Sequence, residues 1–258
     1  MSLKLTFSTL PFMEKTFAEL FEICSEFGID AVELRETENC FSDSSASLSV
    51  VDIASNVCLR HFDEKVISFG KRSIDLAKKL GAKGIRVFLG NFAQTYDAPK
   101  LPIDYDGIVL ALRELCDYSE IEIWVETHNE FSTGEVLLKL INDVDRRNLK
   151  IIWDIIHPIE DGETPEETMN YIGDYISHVH IKDGRKKADP IWHDFEYTLL
   201  GEGDLPIADI VRMLLKNGYD GYFSLEWENV WREELKKYPS VPEFILGKYI
   251  EYMKNIGA

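Results

Sequence analysis

The chain has 258 residues, 45% hydrophobic and 29% charged, the proportions of an ordinary folded protein with a substantial core. Its 46 acidic residues outweigh 28 basic ones and leave a formal net charge of -18, which repels nucleic-acid phosphates and anionic membranes. No nucleic-acid or membrane partner is expected: no segment approaches the roughly 18 uncharged apolar residues of a spanning helix.

The chain alternates short apolar runs with longer amphipathic stretches. The runs predict strands at Lys4–Ser8, Ala31–Leu34, Leu48–Ala54, Ile85–Leu89, Ile121–Glu126, Lys150–Asp154, His178–Ile181 and Tyr222–Glu226. Between them, helical periods fall near Glu14–Phe27, Glu64–Leu80, Tyr105–Tyr118, Thr133–Val144, Glu163–Ile172 and Ile207–Asn217, with a last one from about Glu233 to Met253. FGID, GAKG and NGYDG each have the form helix, glycine, strand. The connection from Arg35 to Ser47 is only weakly helical and reads as a loop.

Eight strands separated by crossovers predict a parallel α/β fold. An open, doubly wound sheet is the rival, but its nucleotide-binding form expects a glycine-rich turn after the first strand. That turn here reads Thr9, Leu10, Pro11. The strand count, and a length near the roughly 250 residues of a closed eight-stranded barrel, predict a single-domain (β/α)8 barrel over residues 1–258.

Cys24, Cys40, Cys58 and Cys116 contain no CxxC pair and match no zinc spacing. They read as free thiols of a reducing compartment. The start, MSLKLTFSTLPF, lacks a cationic region followed by a long apolar core, so no signal peptide is expected. The expected location is cytoplasmic.

Four of the apolar runs end in groups that ligate metals: IEIWVE at Glu126, IIWD at Asp154, HVHI at His180 and YFSLE at Glu226. Singly, each has an ordinary reading, as a helix cap, a lysine partner or a hydrogen-bonded core histidine. Together, at the same end of neighbouring barrel strands, they would face a common mouth. Three carboxylates would repel one another there, and a divalent ion compensates most simply. Carboxylate oxygens with one imidazole suit Mn²⁺ or Mg²⁺; Zn²⁺ also fits, although no cysteine or histidine cluster demands it. His178 shares the face of His180. His128 and His157 follow Glu126 and Asp154 on the next loops, where they could orient a ligand or touch substrate. Lys182 could meet a substrate hydroxyl, carboxylate or phosphate, or pair with Asp183. The long loop GRKKADPIWHDFEYTLLGEGDLP could cover the mouth, with Trp192 and His193 as weaker contacts and Gly201 and Gly203 shaping its return.

VETHNEF, WDIIHP, ISHVHIKDG, GEGDLP and GYFSLEWE, in that order, resemble the xylose isomerase-like TIM-barrel superfamily, most nearly its sugar (phosphate) isomerase and epimerase branch. The likeness runs from FEICSEFGIDAVELR through the last strand. It implies that Glu126, Asp154, His180 and Glu226 form the metal quartet, that His157 binds substrate beside the aspartate, and that Glu33 matches a common glutamate of the second strand near the base of the site. In the epimerases that this chain looks like, the two metal-bound glutamates are also the acid/base pair, which assigns the chemistry to Glu126 and Glu226. The family position that contacts the far hydroxyls is often an arginine; Lys182 or Arg185 would replace it.

The resemblance therefore implies a metal-dependent isomerase or epimerase of a small sugar or sugar-acid substrate. A dehydratase of a related polyol ketone is the alternative. The abasic-site endonuclease branch is less favoured, because it needs additional histidines and a DNA-binding face, and this chain has 6 histidines in all. A non-catalytic sugar-binding barrel is the remaining reading. Homo-oligomers are common in the family and are expected here; Phe244, Tyr249 and Tyr252 read mainly as cover for the barrel.

Overall fold

A computed structural model describes residues 3–37, 48–91, 100–188 and 195–256. Eight parallel strands form a nearly closed (β/α)8-like barrel: β1 (Lys4–Phe7), β2 (Val32–Arg35), β3 (Val50–Ala54), β5 (Gly84–Leu89), β6 (Glu122–Glu126), β7 (Leu149–Asp154), β8 (Ile176–Ile181) and β11 (Tyr222–Leu225). They run in the order β1-β11-β8-β7-β6-β5-β3-β2, and the short β4 (Cys58–Leu59) pairs with β5 as well. A parallel bridge between Ser8 and Glu33 links the first strand to the second, and Thr9 donates its amide to the Glu33 carbonyl at 2.9 Å.

Chain contacts divide this fold into two dense units, Met1–Val51 with His178–Ala258, and Asp52–Ser177. In the first, β1, β11 and β8 pair in register, Thr6 opposite Ser224 and Ser224 opposite His180. Its helices are α1 (Phe17–Phe27), α7 (Ile207–Lys216) and α8 (Pro242–Ile256). Helix α1 starts at a capping box, in which Thr16 and Glu19 satisfy each other's amides, and stops at Gly28, whose φ of 65° is left-handed. That stop turns the chain into β2. Helix α7 buries Ile207, Ile210, Val211 and Leu214, the i, i+3, i+4, i+7 stripe that its sequence predicts. Each such side chain contributes roughly 1.5–3 kcal/mol when fully buried. Tyr249 is buried on α8 and donates its hydroxyl to the Phe223 carbonyl at 2.7 Å, so it does cover the barrel.

In the second unit, β5, β6 and β7 pair in parallel; α2 (Glu64–Leu80) precedes β5, α3 (Tyr105–Tyr118) and α4 (Gly134–Val144) lie in the two crossovers, and α5 (Ile156–Glu160) and α6 (Pro165–Ile172) follow β7. Asp63 caps α2 by accepting from Lys65 and Val66, and Asp104 caps α3 by accepting from Gly107.

The predicted strands and helices occur, with shifted ends. The last predicted helix starts later: Glu233–Leu235 is one 3₁₀ turn, and α8 begins at Pro242. Proline suits a first helical turn because its missing amide hydrogen has no partner there. The segment after Lys182 is not loop throughout. Its β9 (Asp183–Lys186) and β10 (Phe195–Thr198) form an antiparallel ladder. The weakly helical connection after Arg35 lies mostly outside the described residues. Among the described residues, no helix is long and apolar enough to cross a membrane.

Candidate functional site

Strand β6 ends on Glu126 and β7 on Asp154; His180 is penultimate in β8, and Glu226 directly follows β11. All four are buried, Glu226 least so at 7% exposure. Four ionisable groups at the ends of apolar strands are costly unless paired.

In the unit of Asp52–Ser177, Glu126 faces Arg86, whose Nη1 lies 3.2 Å from Glu126 Oε2. Arg86 is buried in the middle of β5 and stacks its guanidinium 4.3 Å from the Phe88 ring centre. Asp154 is fixed through its backbone: the Thr127 hydroxyl accepts its amide at 2.9 Å and donates to its carbonyl at 3.0 Å. Asp154 Oδ1 also accepts the Ile156 amide at 3.3 Å as α5 begins.

His157 stands between two carboxylates, with Nε2 3.3 Å from Asp154 Oδ2 and Nδ1 2.7 Å from Glu160 Oε2. Burial alone would lower its pKa, but Asp154 and Glu160 hold it well above the usual imidazole value. His128 packs edge-on, 4.4 Å from the His157 ring, with Nδ1 2.7 Å from Asn129 Oδ1.

In the other unit, His178 and His180 direct Nε2 at the same oxygen, Glu33 Oε2, at 3.0 and 2.8 Å. The Ser224 hydroxyl donates to that oxygen at 2.9 Å. Burial would raise the Glu33 pKa, yet the two imidazoles bring it well below the usual carboxylate range. Burial lowers the pKa of His178. His180 Nδ1 lies 3.3 Å from Glu226 Oε2, and Lys182 Nζ lies 2.5 Å from that same oxygen. Lys182 is also paired with Glu228, while Arg232 stacks 3.9 Å from the Tyr197 ring centre beside them.

Lys182 thus takes Glu226 and Glu228 as partners, not Asp183. Asp183 instead accepts the backbone amides of Gly184, Gly201, Gly203 and Leu205 at 2.8–3.3 Å. A side chain at Gly203 would bring its Cβ 2.1 Å from Asp183 Oδ1, so the close approach requires glycine. Gly201 and Gly203 do shape the return, as their sequence suggests. Arg185 is exposed on β9 and donates Nε to the Glu202 carbonyl at 2.9 Å. Trp192 and His193 lie outside the described residues.

Glu126, Asp154, His180 and Glu226 each offer one ligand atom, and these atoms lie within 4.8 Å of one another. Glu33, His178 and His180 form a second such group, and Glu126, His128 and His157 a third. In the second, both Nε2 atoms are taken up by Glu33; in the third, both His157 nitrogens face carboxylates. The first has the donor set of a divalent cation, three carboxylates and one imidazole nitrogen.

Residues 21–247 match the family of xylose isomerase-like TIM barrels. The chain belongs to that family. An uncharacterised Methanocaldococcus jannaschii protein is 33% identical over 150 residues, 54% of this chain and 49% of that protein. The 3-dehydroshikimate dehydratase of Bacillus anthracis is 24% identical over 87% of this chain and 91% of its own. The fructoselysine 3-epimerase of Shigella flexneri is 24% identical over 69% of this chain and 64% of its own. The chain thus spans about half of the first of these relatives and just under two thirds of the epimerase. A solved structure of IOLI protein with a bound zinc atom superimposes with a TM-score of 0.76 at 20% identity, over 98% of this chain and 99% of that one. The protein is a xylose isomerase-like barrel with a metal site, related to sugar isomerases, epimerases and dehydratases.

Sequence reasoning did not single out Arg86, Ser224, Thr127, Glu160 or Glu228. Arg86 had a signal, a lone charge inside the apolar run IRVFL. Thr127 and Glu160 had only proximity to a ligand. Ser224 had none, because its role depends on strand register.

Proposed function

We propose that the protein is a divalent-metal-dependent isomerase or epimerase of a small polyhydroxylated carbonyl compound. The observation that carries this reading is the convergence of ligand atoms from Glu126, Asp154, His180 and Glu226. These four residues would hold the cation, with Mn²⁺ or Mg²⁺ favoured by the oxygen-rich set and Zn²⁺ the alternative. The ion would supply Lewis-acid stabilisation of negative charge on substrate oxygens.

The side chains provide the rest. One of Glu126 and Glu226 takes the proton next to the substrate carbonyl, and an enediolate forms. The other glutamate returns a proton to the opposite face for epimerisation; return at the neighbouring carbon isomerises instead. Arg86 lies against Glu126 and Lys182 against Glu226, which favours the carboxylate form in whichever glutamate takes the substrate proton. The glutamate that returns a proton enters the cycle protonated, and exchange with solvent resets the pair. His128 would orient substrate oxygens; His157, whose nitrogens face Asp154 and Glu160, would meet a substrate oxygen only by giving up its contact with Asp154. Lys182, Arg185 and Trp192 remain candidates for the far end of the substrate. Loss of water from the same enediolate is the second reading, favoured by the dehydratase that matches 87% of the chain.

A cytoplasmic setting suits the free thiols. Burial pushes Cys24 and Cys58 up to about 11 and Cys116 up to about 12, which leaves little of the reactive thiolate near neutral pH. Homo-oligomers follow from the family habit, and light scattering on the purified protein tests for them.

Proton NMR in D₂O tests the chemistry. Metal-loaded protein is incubated with ketoses, hydroxypyruvate, sugar acids and inososes beside an EDTA-treated control. The expected result is metal-dependent exchange of a proton next to a carbonyl, with a new epimer or isomer. A dehydrated product would select the second reading. No exchange across the panel with metal bound would sink enolisation of these substrates.

A further inference from the structure

We infer that Glu33 positions His180 as a ligand, by holding the ring proton on Nε2 and leaving the Nδ1 lone pair for the cation. The inference rests on the metal-site reading above and assigns Glu33 to the support of that site.

Three strands build the arrangement. His178 and His180 stand two apart on β8, so both rings face the same side. Ser224 of β11 is register-paired with His180. Glu33 of β2 receives all three donors on one oxygen, at 3.0, 2.8 and 2.9 Å, and has no exposed surface. Its backbone is fixed on both flanks, by the Ser8 bridge with the Thr9 amide, and by the Arg35 amide donating to Thr9 Oγ1 at 2.8 Å.

Glu33 Oε2 takes the Ser224 hydroxyl at 2.9 Å and so serves as an acceptor toward the groups that face it. Nε2 of His180 therefore carries hydrogen, and a neutral imidazole then presents a lone pair at Nδ1. That nitrogen lies 3.3 Å from Glu226 Oε2, another ligand of the quartet. His178 and Ser224 restrain the same carboxylate oxygen, so its direction toward His180 is over-determined. With 0% exposure, Glu33 meets neither solvent nor a ligand arriving through it. It is a positioning residue.

The test is Glu33→Gln, which keeps shape and removes charge. Two readouts apply: Mn²⁺ affinity by calorimetry, and the His180 tautomer from nitrogen-15 NMR of the metal-free protein. Loss of a carboxylate behind a metal-bound histidine typically weakens binding about 10–100-fold, and that loss is expected. The variant's ring should shift from Nε2–H toward a mixture with Nδ1–H, because an amide can donate as well as accept. Ser224→Ala, which keeps the Glu33–His180 bond, should bind Mn²⁺ as wild type does. A Glu33→Gln protein with normal affinity or an unaltered ring overturns the assignment, even where its melting temperature falls. If the wild type binds none of Mn²⁺, Mg²⁺ and Zn²⁺, the metal-site reading fails, and the tautomer readout alone decides the role of Glu33. Should Glu33→Gln not fold, Glu33→Asp, which draws the carboxylate back from His180, takes the same two measurements.

Discussion

The two units hold their ligands by different means. In Asp52–Ser177, support spans shorter stretches of chain: Thr127 grips the Asp154 backbone across 27 residues, and His157 and Glu160 lie within one turn of α5. Around His180 and Glu226, support comes from far away, since Glu33 reaches His180 across 147 residues and Ser224 across 191. The charges differ as well. Arg86 balances Glu126 from inside a strand, whereas Lys182 reaches Glu226 from just past one. The lesson is that a buried acid such as Asp154 can be held by neighbours within one turn or one crossover, while His180 depends on partners brought together from far along the chain.

Exchanging the two glutamates for amides is the sharpest way to probe this asymmetry. Glu126→Gln and Glu226→Gln should each lower turnover by about 10²–10⁴-fold, the usual contribution of a positioned acid or base. Isotope-exchange rates measure this, and EDTA should abolish exchange in the wild type. Near-normal turnover in either variant would break the two-glutamate mechanism. Next in size is Asp183→Ala, which strands several buried amides. Each unsatisfied buried donor costs about 1–3 kcal/mol, so a loss of about 2–4 kcal/mol is expected once some are rehydrated. Urea unfolding reads it, and an unchanged midpoint would show that these amides find other acceptors.

Thr127→Val tests the local support alone. It removes the hydroxyl that bonds both ways with Asp154 and should cost about 1–3 kcal/mol, with weaker Mn²⁺ binding as a second readout. Equal metal affinity would mean that Asp154 needs no help from β6. The smallest effect is expected at Gly28, where α1 turns toward the strand that carries Glu33. Gly28→Ala meets no atoms within 4 Å, but forces alanine to a φ of 65°. A cost of about 1 kcal/mol is expected from backbone strain alone. A larger loss, accompanied by weaker metal binding, would show that β2 has slipped and taken Glu33 with it.

Much of this was legible in the sequence, for a physical reason. Parallel strands buried on both faces are continuous apolar runs, so a terminal Glu or Asp such as Glu126 or Asp154 stands out against them. The helices were legible from their periodicity and from the glycines that end them, Gly28 and Gly81. Periodicity alone starts the first helix near Glu14, whereas the cap at Thr16 starts it at Phe17. The hairpin β9–β10 was not, because its strands Asp183–Lys186 and Phe195–Thr198 are short and one of them is mostly polar. Its strongest tie, Asp183 to the amides near Gly201 and Gly203, is a backbone interaction that leaves no side-chain pattern. The sequence offered Lys182 a substrate oxygen or Asp183 and gave no hint of Glu226 and Glu228, because adjacency in sequence says little about where neighbouring side chains point.

The knot of amides around Asp183 also bears on how such a barrel could change its diet over evolutionary time. One carboxylate fastens both the outgoing strand and its return, at Gly184 on one side and Gly201, Gly203 and Leu205 on the other. Insertions or exchanges beyond that clasp, between β9 and β10, need not disturb Lys182 or the ligand strand just before it. Selection could therefore rewrite the stretch between those strands while inheriting the ligand strand intact.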